Sequence, residues 1–524
     1  MNLLKLFYFY FATICVLLMQ VETKRILGIF PHFGYSHFKV FYPLLHNLSE
    51  RGHNITVITY IKATTLPKGN YEELLLKGME VVNVVPLDEM KERTWKGLFD
   101  EYIALHDEGQ ESCKRLYESG HIEEVLKRHK QQPYDLVITE YFNSDCQLAL
   151  PYLMKTPVVA LSSCLLMPWY YDRILMPDTP SYVQSEFVGF RTPLNFHERL
   201  MNFVQAKALS ILYRYYTNYL DNKLIKHYLN IDVDVAQIAK QNTRLIFGNQ
   251  HYSLMGIRPF TQQFVEIGGI HIKEEEINKV LPKEVDLFLE NSKEDVLFIS
   301  WGSMIKGSTL DADKLQAILN VLTKLDIKVI WKWESDEIPI KSDKFLFIKW
   351  APQLSLICHP KVTLFWGHGG LLSTTEAVYC GKPMLITPIY GDQFVNGFAV
   401  ENRKIGRIIN FNDIKEKTLN EQLTQLRHAN YSTKASEISQ VFRQRESQPL
   451  DTATWWVEHL LEHKVSEEVL HSYAVDLNWF VYYSLDVITL LLAILFVFIF
   501  ITKSLLRLIL CRRVNVKYDK VKQN

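Results

Sequence analysis

Apolar residues follow two rhythms along the chain. Short runs in which nearly every position is apolar, RILGIF (25–30), NITVITY (54–60), MEVVNVV (79–85), YDLVIT (134–139) and VVALS (158–162), alternate with stretches such as FKVFYPLLHNLSER (38–51) and residues 110–130, where apolar positions recur every three or four. The first pattern suits strands covered on both faces, the second amphipathic helices. Gly52 stops the first helix, so RILGIF through NITVITY predicts one βαβ unit. A helix is expected from about Asp145, and a helix-rich excursion over about 195–240 precedes RLIFGN (244–249), where strand character returns. A second series runs through EDVLFIS (294–300), KVIWKW (328–333), FLFIKW (345–350), VTLFW (362–366), MLITP (384–388) and GRIIN (406–410). Strands and helices alternating in this way predict two parallel, doubly wound α/β sheets, with ligands at the carboxyl ends of the strands. Between the series, the charged stretch IKEEEINKVLPKEVD (272–286) lacks β-branched runs and contains Pro282, and reads as a linker.

The two ends carry a different pattern. MNLLKLFYFYFATICVLLMQVETK places Lys5 before a long apolar run and a polar break, the build of a secretory signal peptide. Val487–Ile501 is an uncharged run, and with Val481–Asp486 it reaches the roughly 20 residues a membrane span needs. Trp479, Phe480, Tyr482 and Tyr483 precede it as an interfacial belt, and Lys503, Arg507, Arg512, Arg513, Lys517, Lys520 and Lys522 follow it. By the positive-inside bias that tail is cytoplasmic and the body lumenal. The expected partition is a signal peptide over 1–23, a first lobe over 24–271, a linker over 272–292, a second lobe over 293–450, returning helices over 451–480, a span over 481–502 and a basic tail over 503–524.

Composition narrows the function. The 524 residues carry 58 Lys+Arg against 58 Asp+Glu, with 48% hydrophobic content, which excludes a disordered chain or a general nucleic-acid binder. Seven cysteines are scattered without metal-ligand spacing and are expected to be mostly buried thiols. The sequons at Asn47, Asn54 and Asn430 suit a lumenal body.

The residues just after strands carry the candidate chemistry. Gly367-His368-Gly369-Gly370 follows VTLFW and opens a helix whose first turn holds Ser373. Glycines let the backbone approach a phosphate, the helix N-terminus supplies free N–H groups, and His368 and Ser373 add donors. Glu376, one turn on, is placed for ribose hydroxyls. Trp350 and Gln353 offer a flat face and an amide for a base, Ser300-Trp-Gly-Ser303 forms another small-residue loop, and Asp392 with Gln393 suits sugar hydroxyls.

The run WAPQ…HP…FWGHGG…S..EA…GKPM…P..GDQ..N (350–396) resembles the signature of the UDP-glycosyltransferase family, glucuronosyl- and glucosyltransferases of the two-lobed GT-B fold. Ser36-His37, Arg51-Gly-His53, MPDTPSYV (176–183), FHERLMN (196–202) and RP…IGG.H (258–271) extend it over nearly the whole chain; YFNSDC (141–146) and DLNWFVYYSLDVI (476–488) resemble arthropod members. The resemblance implies uracil stacking on Trp350, ribose contact by Glu376, pyrophosphate contacts from His368, Gly370, Ser373 and Ser303, and sugar contacts from Asp392 and Gln393. Gly367 departs from the Thr or Ser common before the glycine-loop histidine, and Gln184 and Gln262 stand where prolines are common.

Transfer of a sugar to a hydroxyl requires a base, and His37, in the loop after the first strand, suits that role. A carboxylate should orient its far nitrogen: Asp145, beside Cys146, is preferred and Glu140 is the alternative. The expected activity is inverting transfer of glucose from a UDP-sugar, as co-substrate, to a hydroxyl of a small lipophilic acceptor such as a phenol, flavonoid or anthraquinone. It is expected to need no cofactor and no metal. Glucuronic acid is the alternative sugar, and a non-catalytic nucleotide-sugar-binding subunit the alternative role. The expected location is the endoplasmic reticulum membrane, as a single-pass type I protein whose Lys520 and Lys522 resemble a dilysine retrieval signal. Self-association is left open.

Overall fold

The computed structural model describes residues 23–79, 86–87, 94–350, 352–463 and 468–522. The expected signal peptide, except for its last residue, and all of the expected strand at 79–85 except Met79 lie outside them. Two compact units divide the chain, residues 1–470 and 471–524.

The first unit holds two sheets. One comprises β1 (Arg25–Phe30), β2 (Asn54–Thr59), β3 (Tyr71–Leu75), β4 (Leu136–Glu140), β5 (Val158–Ser162), β6 (Thr243–Gly248) and β7 (Phe264–Glu266), in the order β3-β2-β1-β4-β5-β6-β7. The other comprises β8 (Val296–Ser300), β9 (Lys328–Lys332), β10 (Phe345–Ile348), β11 (Val362–Gly367), β12 (Met384–Ile386) and β13 (Gly406–Ile408), in the order β10-β9-β8-β11-β12-β13. All the paired strands are parallel, as their apolar runs require. Alternation within β8 shows why: Val296 and Phe298 join the core on one face and Leu297 and Ile299 the core on the other. Each such burial contributes about 1.5–3 kcal/mol. Strand β3 was not expected, because YEELL has no clean alternation; it pairs along β2 from Ile55↔Tyr71 to Thr59↔Leu75.

Five helices position the site and one closes the first lobe. Helix α1 (Tyr35–Glu50) follows β1 and buries Phe38, Phe41, Leu44, Leu45 and Leu48 on the sheet. Helix α2 (Trp95–Glu118) lies between β3 and β4, and α3 (Asn218–Leu229) belongs to the helix-rich excursion, which ends with the helix Val235–Asn242. Helix α4 (Leu371–Tyr379) follows β11, and α5 (Gln393–Asn402) follows β12. Helix α6 (Pro449–Glu462) returns to the first lobe: Ala453, Val457, Leu460 and Leu461 enter its core, and Arg51 Nε and Nη2 donate to Glu458 at 2.6 and 2.8 Å. The Arg51-Gly-His53 motif is therefore a tie to α6. The expected linker contains two short helices, Glu274–Ile277 and Lys283–Glu290.

The cysteine expectation is corrected. Cys113 pairs with Cys146 and Cys358 with Cys380, leaving Cys164 as a buried thiol. The first bridge ties α2 to the turn after β4, and the second ties the end of the short helix Gln353–Cys358, before β11, to the end of α4; neither spacing, 33 or 22 residues, carries a sequence signature.

In the second unit, helix α7 (Leu485–Lys522) includes Leu485–Leu510, 26 residues whose most apolar 18-residue window has a mean hydropathy of 2.8, long and apolar enough to cross a membrane.

Candidate active site

Strand order reverses between β1 and β4 in one sheet and between β8 and β11 in the other, and the loops beyond those carboxyl ends line one cleft with a volume of about 2220 Å³. In a doubly wound sheet this is where ligands bind.

On the first lobe, His37 sits in the opening turn of α1 and Glu140 is the last residue of β4, so the switch point itself brings them together. His37 Nδ1 lies 2.6 Å from Glu140 Oε1, and Ser163, just beyond β5, places its Oγ 2.5 Å from that oxygen and 2.7 Å from Nδ1. With Nδ1 so engaged, Nε2 is the nitrogen left for the cleft, which His37 lines. Burial disfavours the imidazolium, but the Glu140 charge and hydrogen bond, with the charges of Asp392 and Glu108, outweigh it and raise the His37 pKa. Glu140 is depressed in turn: burial opposes its charge, and His37 more than compensates. His32 stacks at a ring distance of 4.0 Å from His37, its Nε2 lies 3.4 Å from Glu108, and burial, then the His37 charge, lowers its pKa. His32, His37 and Glu140 offer ligand atoms within 4.8 Å of one another.

The preference for Asp145 is corrected on placement. Its carboxylate is wholly buried, with Oδ2 accepting from Arg173 Nη2 at 2.6 Å and from Asn218 Nδ2, on α3, at 2.9 Å. Asp145 is committed to a buried ion pair, and Glu140 is the carboxylate on His37.

On the second lobe the Gly-His-Gly-Gly turn and α4 form a cradle. No side chain caps α4, so the amides of its first turn remain available to a ligand. A Cβ on Gly370 would lie 2.5 Å from His368 Nε2 and displace that ring, and Gly302, which packs against the same ring, holds a φ of 78° that favours glycine. Burial, then the charge of Lys332, lowers the His368 pKa to about 4, which leaves a neutral ring. Ser373 Oγ donates to the Gly370 carbonyl at 3.0 Å, and Ser303 lines the cleft beside them.

Ser300, Gln353 and Glu376 form a chain: Ser300 Oγ donates to Gln353 Oε1 at 3.1 Å, and Gln353 Nε2 donates to Glu376 Oε2 at 2.7 Å. Burial raises the Glu376 pKa. His271 lies 3.7 Å from Glu376, but burial lowers its pKa to about 3, so the contact is not an ion pair. Trp350 is 66% exposed at the cleft, its ring open to a stacking partner.

Asp392 does not cap α5; its Oδ2 accepts from Asn396 Nδ2 at 2.9 Å, and burial lifts its pKa to about 6 against the pull of Asn396 and His37. Gln393 Oε1 accepts from the N–H groups of Ile389 and Tyr390, bracing the loop. Glu101 Oε1 accepts from Gly391 N at 2.5 Å, joining the two lobes beside Asp392.

Several lining residues escaped sequence reasoning. Glu101 and Glu108 stand two turns apart on α2, a spacing that marks one helix face, and Ser163 immediately follows a strand; Lys332 and Glu186 carried no signal of their own. Among the sequons, Asn430 is exposed, whereas Asn47 donates through Nδ2 to Thr454 Oγ1 and Asn54 opens β2.

Two doubly wound lobes around a cleft that joins a glycine-lined helix N-terminus to a histidine–carboxylate pair define a GT-B glycosyltransferase. A UDP-glucosyltransferase from Polygonum tinctorium, capable of glucosylating indoxyl and solved with 3,4-dichloroaniline, superimposes with a TM-score of 0.58 over 84% of this chain and 99% of its own, at 14% identity, a likeness of fold. The family described as UDP-glucoronosyl and UDP-glucosyl transferase matches residues 29–521, and the chain belongs to it: this protein is a UDP-glycosyltransferase. Among similar proteins of Dactylopius coccus, UDP-glycosyltransferase UGT5 is 32% identical over 93% of this chain and 92% of its own length, and UDP-glucosyltransferase 2 is 29% identical over 98% of each.

Proposed function

We propose that the protein transfers glucose from UDP-glucose, with inversion, to a hydroxyl of a small lipophilic acceptor. The observation that carries the mechanism is the His37–Glu140 contact of 2.6 Å at the cleft edge. His37 Nε2 takes the acceptor proton as the acceptor oxygen attacks the anomeric carbon, the bond from that carbon to the diphosphate oxygen breaks, and UDP leaves with the electron pair. Glu140 holds the imidazolium in place, and its proton later passes to solvent. Trp350 stacks the uracil, Gln353 and Glu376 hold base and ribose, and the amides of α4 with Gly370, His368, Ser373 and Ser303 stabilise the charge developing on the diphosphate. Asp392 and Gln393 take sugar hydroxyls.

Charge supports a neutral hexose. Glu101 acts electrostatically against Asp392, so the sugar end of the cleft carries carboxylates and a hexuronate would meet repulsion there. The donor roles use neutral and hydrogen-bonding groups, and the reading includes no metal and no cofactor. The two disulfides, the exposed sequon at Asn430 and the basic segment after the apolar helix support a lumenal, single-pass protein of the endoplasmic reticulum membrane.

The test offers UDP-glucose and UDP-glucuronic acid in parallel to membranes expressing the protein with a panel of phenols, flavonoids and anthraquinones, and reads product mass. A hexose increment that falls on the order of 10²–10⁴-fold in His37→Ala is expected. A hexuronic acid increment overturns the donor, and undiminished turnover in the variant overturns the base.

A further inference from the structure

The two ends of the cleft differ in charge. At the nucleotide end, Lys332 acts on His368 and Lys39 acts on Glu376. Around His37 the charges are carboxylic: Glu140, Asp392 and Glu108 all act on it. Glu101 and Glu108 present one face of α2 to this end, with Leu105 between them.

Glu186 stands apart from these. It is 2% exposed, lines the cleft, and neither of its carboxyl oxygens has a hydrogen-bond partner among the described residues. A carboxyl group buried in this way is costly unless something arrives to pair with it. Its loop is held firmly: Gln184 accepts from Phe190 N at 2.7 Å and donates to Phe190 O at 3.1 Å, while Phe187 packs on Trp169. Arg258 pulls on the Glu186 charge but lies outside the lining of the cleft. Phe142, Met167 and Phe187 line the same cleft as apolar walls, with Ser163 and His37 among its polar groups.

We infer that Glu186 is an acceptor-binding residue that selects phenolic acceptors carrying a protonated amine, with the aromatic ring against Phe142, Met167 and Phe187 and the ammonium on the Glu186 carboxylate. The inference rests on reading the first-lobe side of the cleft as the acceptor site. Burial, then the Asp392 charge, holds the empty Glu186 well above the ordinary carboxylate range, so entry of an ammonium releases a proton to solvent.

Three acceptors of one shape test this on the full-length protein in detergent: 4-(2-aminoethyl)phenol, 4-ethylphenol and 3-(4-hydroxyphenyl)propanoate. Binding is read by calorimetry in the presence of UDP, in two buffers of different ionisation enthalpy, and turnover with UDP-glucose is read in parallel. The amine is expected to bind roughly tenfold to a hundredfold tighter than the neutral phenol, with proton release, and the carboxylate weaker than both. Glu186→Gln should cut the amine-over-neutral ratio by roughly tenfold. Equal binding of amine and carboxylate overturns the inference, as does a Glu186→Gln variant that raises KM for UDP-glucose while keeping the acceptor ratio, which would place Glu186 on the sugar. Selective amine binding without sugar transfer to any acceptor would sustain this inference and refute the proposed function instead.

Discussion

At the scale of single residues, the chemistry turns on which carboxylate meets His37. Because Glu140 raises the His37 pKa and the base must be neutral to accept a proton, kcat/KM should climb with pH through an acid limb lying above the ordinary histidine value of about 6.5. In Glu140→Gln, burial is left to dominate, so that limb should move to lower pH while the plateau rate falls; a limb that stays put would separate Glu140 from the base. Asp145→Asn should do the reverse. It leaves the buried Arg173 with only the half-exposed Asp172, 3.3 Å from its Nε, as counter-charge, a loss of up to about 3–5 kcal/mol visible as a lowered Tm, with the acid limb unchanged. The sequence showed His37 through its place after the first strand, and both carboxylates through theirs near the fourth. It did not show which was which, because that depends on Arg173 and Asn218, which reach Asp145 from 28 and 73 residues away. Glu186 was hidden for the same reason: nothing local marks a glutamate whose oxygens will find no partner.

At the scale of elements, the sequence was most legible where the physics is local. Strands buried on both faces announce themselves as unbroken apolar runs, and the expected strand from 294–300 became β8 and that from 362–366 became β11 with little adjustment. Strand β3 was illegible because its exposed edge residues, such as Glu72, are chosen for solvent rather than for the sheet. The turn before α4 was legible too, through its glycines. The structure adds why they are needed: Gly370→Ala would push a methyl group into His368. The expected outcome is a raised KM for the UDP-sugar and on the order of a 10²-fold loss of kcat/KM, with secondary structure by circular dichroism unaltered. A variant with wild-type kinetics would remove His368 from the cradle.

At the scale of the whole molecule, the two ends of the cleft divide the labour by charge, with cations at the nucleotide end and carboxylates around the base. A reaction built on hydrogen-bond donors should be indifferent to chelators, yet His32, His37 and Glu140 lie close enough to hold a transition metal. Turnover is expected to survive exhaustive EDTA treatment; its loss, restored by zinc, would show that the trio serves a metal rather than a proton. Helix α6 sets a further condition. Ala453, Val457, Leu460 and Leu461 complete a core whose sheet ends at Glu266, and the whole second lobe is translated in between. At ~5–20 residues per second the ribosome delivers that missing wall many seconds late. Until then the first lobe waits with an apolar face uncovered, a ready client for chaperones, and a chain terminated before residue 449 should never leave their care.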